Sequence, residues 1–235
     1  MQNITTETHV GEIVRALPAR SRIFENLGID YCCGGKVPLA EACKTKGLDA
    51  QTVVAMLSAL DDVADSTLPD VELMSLSQLC EHIETTHHER LRNELPRLDF
   101  MTRKVAAVHG DHEPRLLEIR GLFEQFYEKV DSHTREESET VFPAICQMEL
   151  TGTSSDVLEE SFAKLEQEHD RTGAALAQFR TLTDDYTPPE WACNTFRALY
   201  DGLAELEKDM HQHVHKENNV LFPKAAEKAR SGKKG

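Results

Sequence analysis

His133 and Glu137 stand four residues apart, as do His213 and Glu217, and Phe-Pro follows each glutamate after five residues, as Phe142-Pro143 and Phe222-Pro223. The second copy lies 80 residues after the first. Each pair is preceded by a lone histidine at nearly the same distance, His88 at 45 residues before His133 and His169 at 44 before His213. On a helix, residues four apart share a face, so both side chains of a pair can point at one spot. Two glutamates meeting in a helical core cost several kcal/mol unless a positive charge meets them, and neutral imidazoles bring none. Two metal cations resolve the conflict. With carboxylates bridging and imidazoles terminal, the donor set is nitrogen and oxygen without thiolate, which suits iron or manganese. The expected ligands are His88, His133, Glu137, His169, His213 and Glu217. Each metal then takes two histidines and one oxygen from each glutamate. A solvent-derived oxo or hydroxo bridge makes five ligands and leaves one position open for a small diatomic or for electron exchange.

One buried histidine by itself is more often a hydrogen-bonded core residue than a ligand. The repeated set of six weighs the other way, since its seams carry no lysine or arginine to make an ion-pair network. On the first helix Leu91, Leu95 and Leu98 fit a face with either His87 or His88, and the repeat spacing selects His88. His9, His82, His109, His112, His211 and His215 read as ordinary histidines. The pair His211/His215 has no counterpart in the first half. A second candidate chemistry lies in the vicinal Cys32-Cys33, followed by Gly34-Gly35. There two thiols at an exposed loop tip could bind metal, accept a nitrosyl group or exchange disulfides. The plain alternative is two buried small residues.

The elements that must position these residues are helices. From Ser75 onward four long helical patterns are separated by polar breaks near 109–113, 143–155 and 183–189, as in an antiparallel four-helix bundle. The second seam runs Leu116, Ile119, Phe123, Phe126, Val130, His133, Glu137, Val141. The third runs Leu158, Phe162, Leu165, His169, Thr172, Leu176, Phe179, and the fourth Phe196, Leu199, Leu203, Leu206, Met210, His213, Glu217, Val220. Ser75-x-x-Gln78 can form a capping box at the bundle's start. Residues 1–62 read instead as a small helical domain punctuated by Pro18, Gly28, Pro38 and Gly47. An acidic, Pro69-containing stretch over 63–72 reads as a linker. The bundle takes 73–228, and 229–235 reads as a disordered tail. The fold class is all-α.

Composition narrows the partners. A formal charge of −15 repels phosphate backbones and anionic membranes, so neither nucleic acid nor membrane is expected. The start of the chain lacks a basic stretch leading into an apolar run, and no segment approaches the roughly 18 apolar residues of a membrane span. The six cysteines are scattered, as in reduced intracellular thiols. A cytoplasmic location follows, and a homodimer is compatible with all of this.

The chain resembles the repair-of-iron-centres (RIC) family, bacterial proteins related to hemerythrins. The resemblance covers almost the whole sequence: Asp30-Tyr31-Cys32-Cys33-Gly34-Gly35, His88 before Glu94-Leu95-Pro96, His133 to Pro143, Glu168-His169-Asp170, and His213 to Pro223 with Glu217-Asn218-Asn219. It implies that the six ligands carry two non-haem irons, oxo- or hydroxo-bridged, with manganese the second choice. It also implies a protein that restores iron-sulfur clusters damaged by nitric oxide or oxidants, by iron donation, nitric oxide removal or both. Damaged iron-sulfur proteins, nitric oxide or dioxygen, and an electron donor are the partners so implied, with Cys32 and Cys33 as candidates for redox, nitrosyl or iron transfer. The alternatives are a hemerythrin-like oxygen or nitric oxide carrier or sensor, and a nitric oxide reductase. Arg92 stands four residues after His88, so the first helix offers no second histidine of the kind found in oxygen-carrying hemerythrins.

Overall fold

The computed structural model describes residues 4–60, 71–152 and 156–232. Among them every regular element is helical, and extended pairing is confined to an isolated bridge between His9 and Pro38. No described helix is long and apolar enough to cross a membrane. The chain divides into two compact units, one made of 1–79, 148–154 and 211–235, the other of 80–147 and 155–210. The expected linker over 63–72 falls almost wholly on residues 61–70, outside the described residues.

The first unit opens with four short helices, α1 (Val10–Ala16), α2 (Ser21–Leu27), α3 (Leu39–Thr45) and α4 (Ala50–Ser58). Val10, Ile13, Phe24, Ile29, Tyr31, Leu39, Val53 and Leu57 form their common core. Their ends obey local chemistry. Gly28 closes α2 in the left-handed region at φ 64°, where a side chain would be strained. Pro38 precedes α3, and the Asp49 carboxylate accepts from the Thr52 amide at 2.8 Å to cap α4. The same unit holds the start of α5 (Leu76–Ile83), the end of α8 (Phe142–Thr151), the end of α10 (Asn194–Lys216), and α11 (Phe222–Gly232). The capping box forms as expected, with the Ser75 amide donating to Gln78 Oε1 at 2.9 Å and the Gln78 amide to Ser75 Oγ at 3.2 Å. Glu149 adds a second cap from α8, accepting from the Leu76 and Ser77 amides at 2.8 and 2.9 Å. Helix α11 continues through 229–232, for which the sequence suggests a disordered tail, because Ala225 and Ala229 are buried. Residues 233–235 lie outside the described residues.

The second unit is built from α6 (Glu89–His109), α7 (Arg115–Glu136), α9 (Asp156–Leu182) and the body of α10. Its ion pairs fix neighbours as antiparallel. Arg115 at the start of α7 meets Asp184 just beyond α9 at 2.8 Å, while Glu136 at the other end of α7 meets Lys164 early in α9 at 2.6 Å. Arg180 late in α9 reaches Glu207 on α10 at 3.2 Å. The apolar seams point inward, with Ile119, Phe123, Leu165, Phe179, Phe196 and Leu203 buried. Each such side chain contributes about 1.5–3 kcal/mol by leaving water.

Three of the four long helical rods are not α-helical throughout. A π-turn of five residues interrupts them at Glu84–His88, between α5 and α6; at Glu137–Val141, between α7 and α8; and at Glu217–Leu221, between α10 and α11. Each begins with a glutamate, and each holds or adjoins a residue of the His/Glu repeat. Such turns insert one extra residue and concentrate at functional sites.

Candidate metal centre

In the second unit three helical rods, two of them through a π-turn, meet at one buried point. His88 enters from the turn before α6, His133 and Glu137 from the end of α7, and His169 from α9. Glu137 is completely buried and its two carboxylate oxygens face different imidazoles, Oε2 at 3.4 Å from His88 Nε2 and Oε1 at 3.3 Å from His133 Nε2. His133 Nε2 and His169 Nε2 are 2.9 Å apart. The donor atoms of His133, Glu137 and His169 all lie within 4.8 Å of one another.

The outer ring nitrogens explain why the inner ones point where they do. His133 Nδ1 sits 2.7 Å from Glu168 Oε2, and His88 Nδ1 sits 2.8 Å from Glu84 Oε2 and 3.0 Å from Ser138 Oγ. A carboxylate accepts only, so each Nδ1 carries the proton, and each Nε2 is left with a lone pair directed at Glu137. This is the carboxylate–histidine arrangement that orients metal-binding imidazoles. Burial would raise the Glu84 pKa, but hydrogen bonds from Ser138 and Arg92 and the neighbouring His88 outweigh it and hold the carboxyl below its ordinary value. His133 thus directs a lone pair at His169 Nε2, 2.9 Å away, and at the buried Glu137 carboxylate, and this close set of imidazole nitrogens and carboxylate oxygens fits a metal.

His87 takes a different role. Its Nδ1 lies 3.1 Å from Asp209 Oδ1 on α10, with both side chains at most 5 % exposed, so this ring belongs to a buried polar pair within the bundle.

In the first unit His213 Nε2 lies 2.9 Å from Glu217 Oε1, with both side chains buried. The same stretch of chain receives the cysteine loop. His215 Nδ1 meets the Tyr31 carbonyl at 3.3 Å, and Asn219 Nδ2 donates to the Cys32 carbonyl at 3.0 Å. Burial pushes the His215 pKa down to about 4, so the ring is neutral. Gly11 and Gly35 leave the space that Asn219 occupies, since a Cβ on Gly11 would come within 2.6 Å of Asn219 Oδ1.

The cysteines are not at an exposed tip. Cys32 is buried and Cys33 half-buried, because the loop is pressed onto the end of α10 and the π-turn after it. Asp30 ties the loop together, its Oδ1 accepting from the amides of Cys32 and Cys33 at 2.9 and 3.0 Å and its Oδ2 from Gly34 at 3.0 Å. The two sulfurs are 3.8 Å apart, too far for a disulfide. The Cys32 thiol is held well above its ordinary pKa, first by its hydrogen bond with Cys33 and then by burial. A thiol so held is a poor nucleophile.

Comparison with known proteins decides the family. Residues 6–61 match the ScdA_N model, described as a domain of unknown function (DUF542), and residues 80–225 match the hemerythrin HHE cation binding domain. The iron-sulfur cluster repair protein ScdA of Staphylococcus haemolyticus is 37% identical over 94% of this chain and 99% of its own length. The iron-sulfur cluster repair protein YtfE of Edwardsiella ictaluri is 36% identical over 92% of this chain and 95% of its own. YtfE of Escherichia coli matches at 34%. The chain belongs to this iron-sulfur cluster repair family. Its C-terminal part is thus a hemerythrin-like, cation-binding helical bundle, and its N-terminal part the small helical domain that accompanies it.

Within this family member, sequence reasoning passed over the residues that aim the ligands. Glu84 lies four residues before His88 and so on its face of the helix, a spacing that could have flagged it. Glu168 directly precedes His169 yet serves His133, and Ser138 directly follows Glu137 yet serves His88. Nothing in local spacing announces a partner on another helix.

Proposed function

We propose that this protein repairs iron-sulfur clusters damaged by nitric oxide or oxidants, using a di-iron centre held by His88, His133, Glu137, His169, His213 and Glu217. The observation that carries the reading is the Glu137 carboxylate, buried, with one oxygen turned to His88 and the other to His133. A carboxylate so placed suits two cations side by side. The 80-residue repeat supports His213 and Glu217 as the matching pair that completes the set.

When bound, two irons would supply exchangeable coordination positions and electrons for a small ligand such as nitric oxide, and iron would also be the cargo for a damaged cluster. The chain's own residues do the rest. Glu84, Ser138 and Glu168 hold the Nδ1 protons of the two rings, which keeps Nε2 available as a neutral donor. The Phe142 ring stacked on the fully buried His88 keeps water from that side, which strengthens the electrostatic contacts there. Cys33, the more accessible thiol of the loop on the His213–Glu217 stretch, is the candidate for passing a nitrosyl group or electrons, in a cytoplasmic setting with a separate electron donor. Damaged iron-sulfur proteins are the clients.

The test is metal analysis of anaerobically purified protein followed by repair of an iron-sulfur dehydratase inactivated by nitric oxide. About two irons per chain are expected, with activity restored by loaded and not by metal-free protein. One zinc per chain without iron refutes the di-iron reading. Steady nitrous oxide production without repair marks a nitric oxide reductase, and reversible oxygen binding without either marks a carrier. The double change Cys32→Ser/Cys33→Ser is expected to keep the iron and lose most repair; full repair by it would remove the cysteines from the mechanism.

A further inference from the structure

We propose that a small polar pocket beside the cysteine loop binds the α-ammonium and α-carboxylate head of an amino acid, through Glu12 and Arg15. The site goes beyond the repair reading and uses none of the six residues assigned to metal.

The walls of the pocket come from three stretches of the first unit. Val10 and Gly11 donate their amides to the carbonyls of Val37 and Gly35 at 3.0 and 2.9 Å, which lays residues 10–11 against 35–37. Asn219 closes the third side, since a Cβ on Gly11 would come within 2.6 Å of its Oδ1 and one on Gly35 would collide with the same amide. Asn219 Nδ2 also donates to the Cys32 carbonyl at 3.0 Å, so a wall of the pocket is at the same time an anchor of the cysteine loop. Together these stretches border a cavity of about 160 Å³, into whose lining His9, Glu12, Arg15, Lys36 and Asn218 also enter.

Size and charge select the occupant. At about 30 Å³ of liquid per water the cavity holds about five waters, and an ammonium-carboxylate head has about that many heavy atoms. Drug-sized ligands need more room. In a chain of formal charge −15 the lining sets two cations, Arg15 and Lys36, against the one carboxylate of Glu12, which favours an occupant with a negative group. Glu12 and Arg15 stand three residues apart on α1, hence on one face with Cβ atoms roughly 5–6 Å apart. A head with opposite charges on neighbouring atoms spans that gap, its ammonium toward Glu12 and its carboxylate toward Arg15. Arg15 meets Glu72 through Nε at 3.3 Å, and the two terminal nitrogens of a guanidinium form an end that takes a carboxylate bidentately. Glu12 Oε1 lies 3.5 Å from His9 Nδ1. Phosphate would satisfy the cations equally well, but Glu12 repels it. The head is common to free amino acids and to the γ-glutamyl end of glutathione.

The experiment is equilibrium dialysis of the full-length protein against 14C-labelled L-serine, with unlabelled competitors. One saturable serine per chain is expected, with a Kd on the order of 0.1–1 mM because the Glu12 and Arg15 side chains are 44 % and 43 % exposed. Lactate, which lacks the ammonium, and ethanolamine, which lacks the carboxylate, should need about fivefold more to displace it, the scale of one half-exposed ion pair. Arg15→Gln should weaken serine by about the same factor. Glu12→Gln should weaken serine and leave lactate unchanged or tighter, a split that a merely damaged fold would not produce. Displacement by glutathione below the concentration needed for L-cysteine supports the site with a peptide thiol as occupant, and the reverse order supports it with a free amino acid. No saturable binding up to about 10 mM overturns the proposal, as does displacement by lactate or phosphate as readily as by serine, or serine binding that ignores Arg15→Gln.

Discussion

The cysteine loop and the His/Glu cluster are built from the same kinds of residue, carboxylates beside metal-capable donors, yet they use the carboxylate in opposite ways. In the loop Asp30 accepts three backbone amides and shapes the turn, and the Cys32 thiol beside it is held protonated. In the cluster Glu84 and Glu168 each take the outer proton of an imidazole, and the inner nitrogen is thereby made a donor. Proximity of Asp, Cys, His and Glu is thus not by itself what readies a donor for a metal. What matters is whether the carboxylate is occupied by backbone or by the proton that would otherwise spoil the ligand.

The sharpest way to break the comparison is to change the carboxylate between the two histidines. Glu137→Ala removes the two carboxylate oxygens turned to His88 and His133 and should lower iron content to less than about half of wild type, measured by metal analysis, since even outer-shell changes cost 10–100-fold in affinity. A variant with both irons in place would take Glu137 out of the site. Next in size is the contrast of neighbours. His88→Ala should empty the centre, while His87→Ala should keep the iron and lose about 1–3 kcal/mol of stability, because Asp209 is left buried with a lost partner. Equal metal loss in both would make His87 a ligand. Smaller still, Asp30→Ala should cost about 1–2 kcal/mol, as the loss of a cap does, with iron content unchanged; iron lost in step with stability would tie the loop to metal retention.

The smallest effect concerns Glu149, another carboxylate used on backbone. Burial tends to raise its pKa, and the Ser77 hydroxyl with the Ser77 and Leu76 amides more than offsets this, so the folded value lies below 4.5. A group depressed in the folded state stabilises above its unfolded pKa and stops doing so as pH falls through the folded one. Glu149→Gln should therefore flatten the loss of stability below about pH 4.5 by about 1 kcal/mol, read from denaturant midpoints at pH 7 and pH 4. An unchanged acid limb would show that the cap contributes nothing.

Much of this was legible in the sequence for a physical reason. The seams through Phe123, Leu165 and Leu203 repeat at helical spacing because burial selects apolar residues there, and His133, His169 and His213 stand out as breaks in that rule. The π-turns were not legible. No residue type encodes an extra residue in a helical turn. The cysteine loop was misjudged for a related reason. Gly34-Gly35 suggested an open, flexible tip, whereas Gly35 is small because Asn219 sits where its side chain would be. Glycine reports close approach as readily as freedom, and which of the two applies depends on a residue 184 positions away.

In the language of insertions and deletions, the π-turns are where the chain stores a spare residue. Each residue of an α-helix advances it by about 100°, and a π-turn takes up one such residue without passing that rotation on. Losing one residue from 217–221 would therefore close the segment to ordinary helix and leave Ala225 and Ala229 on the buried face of α11. The same loss inside α11, ahead of Ala225, would turn both towards the surface.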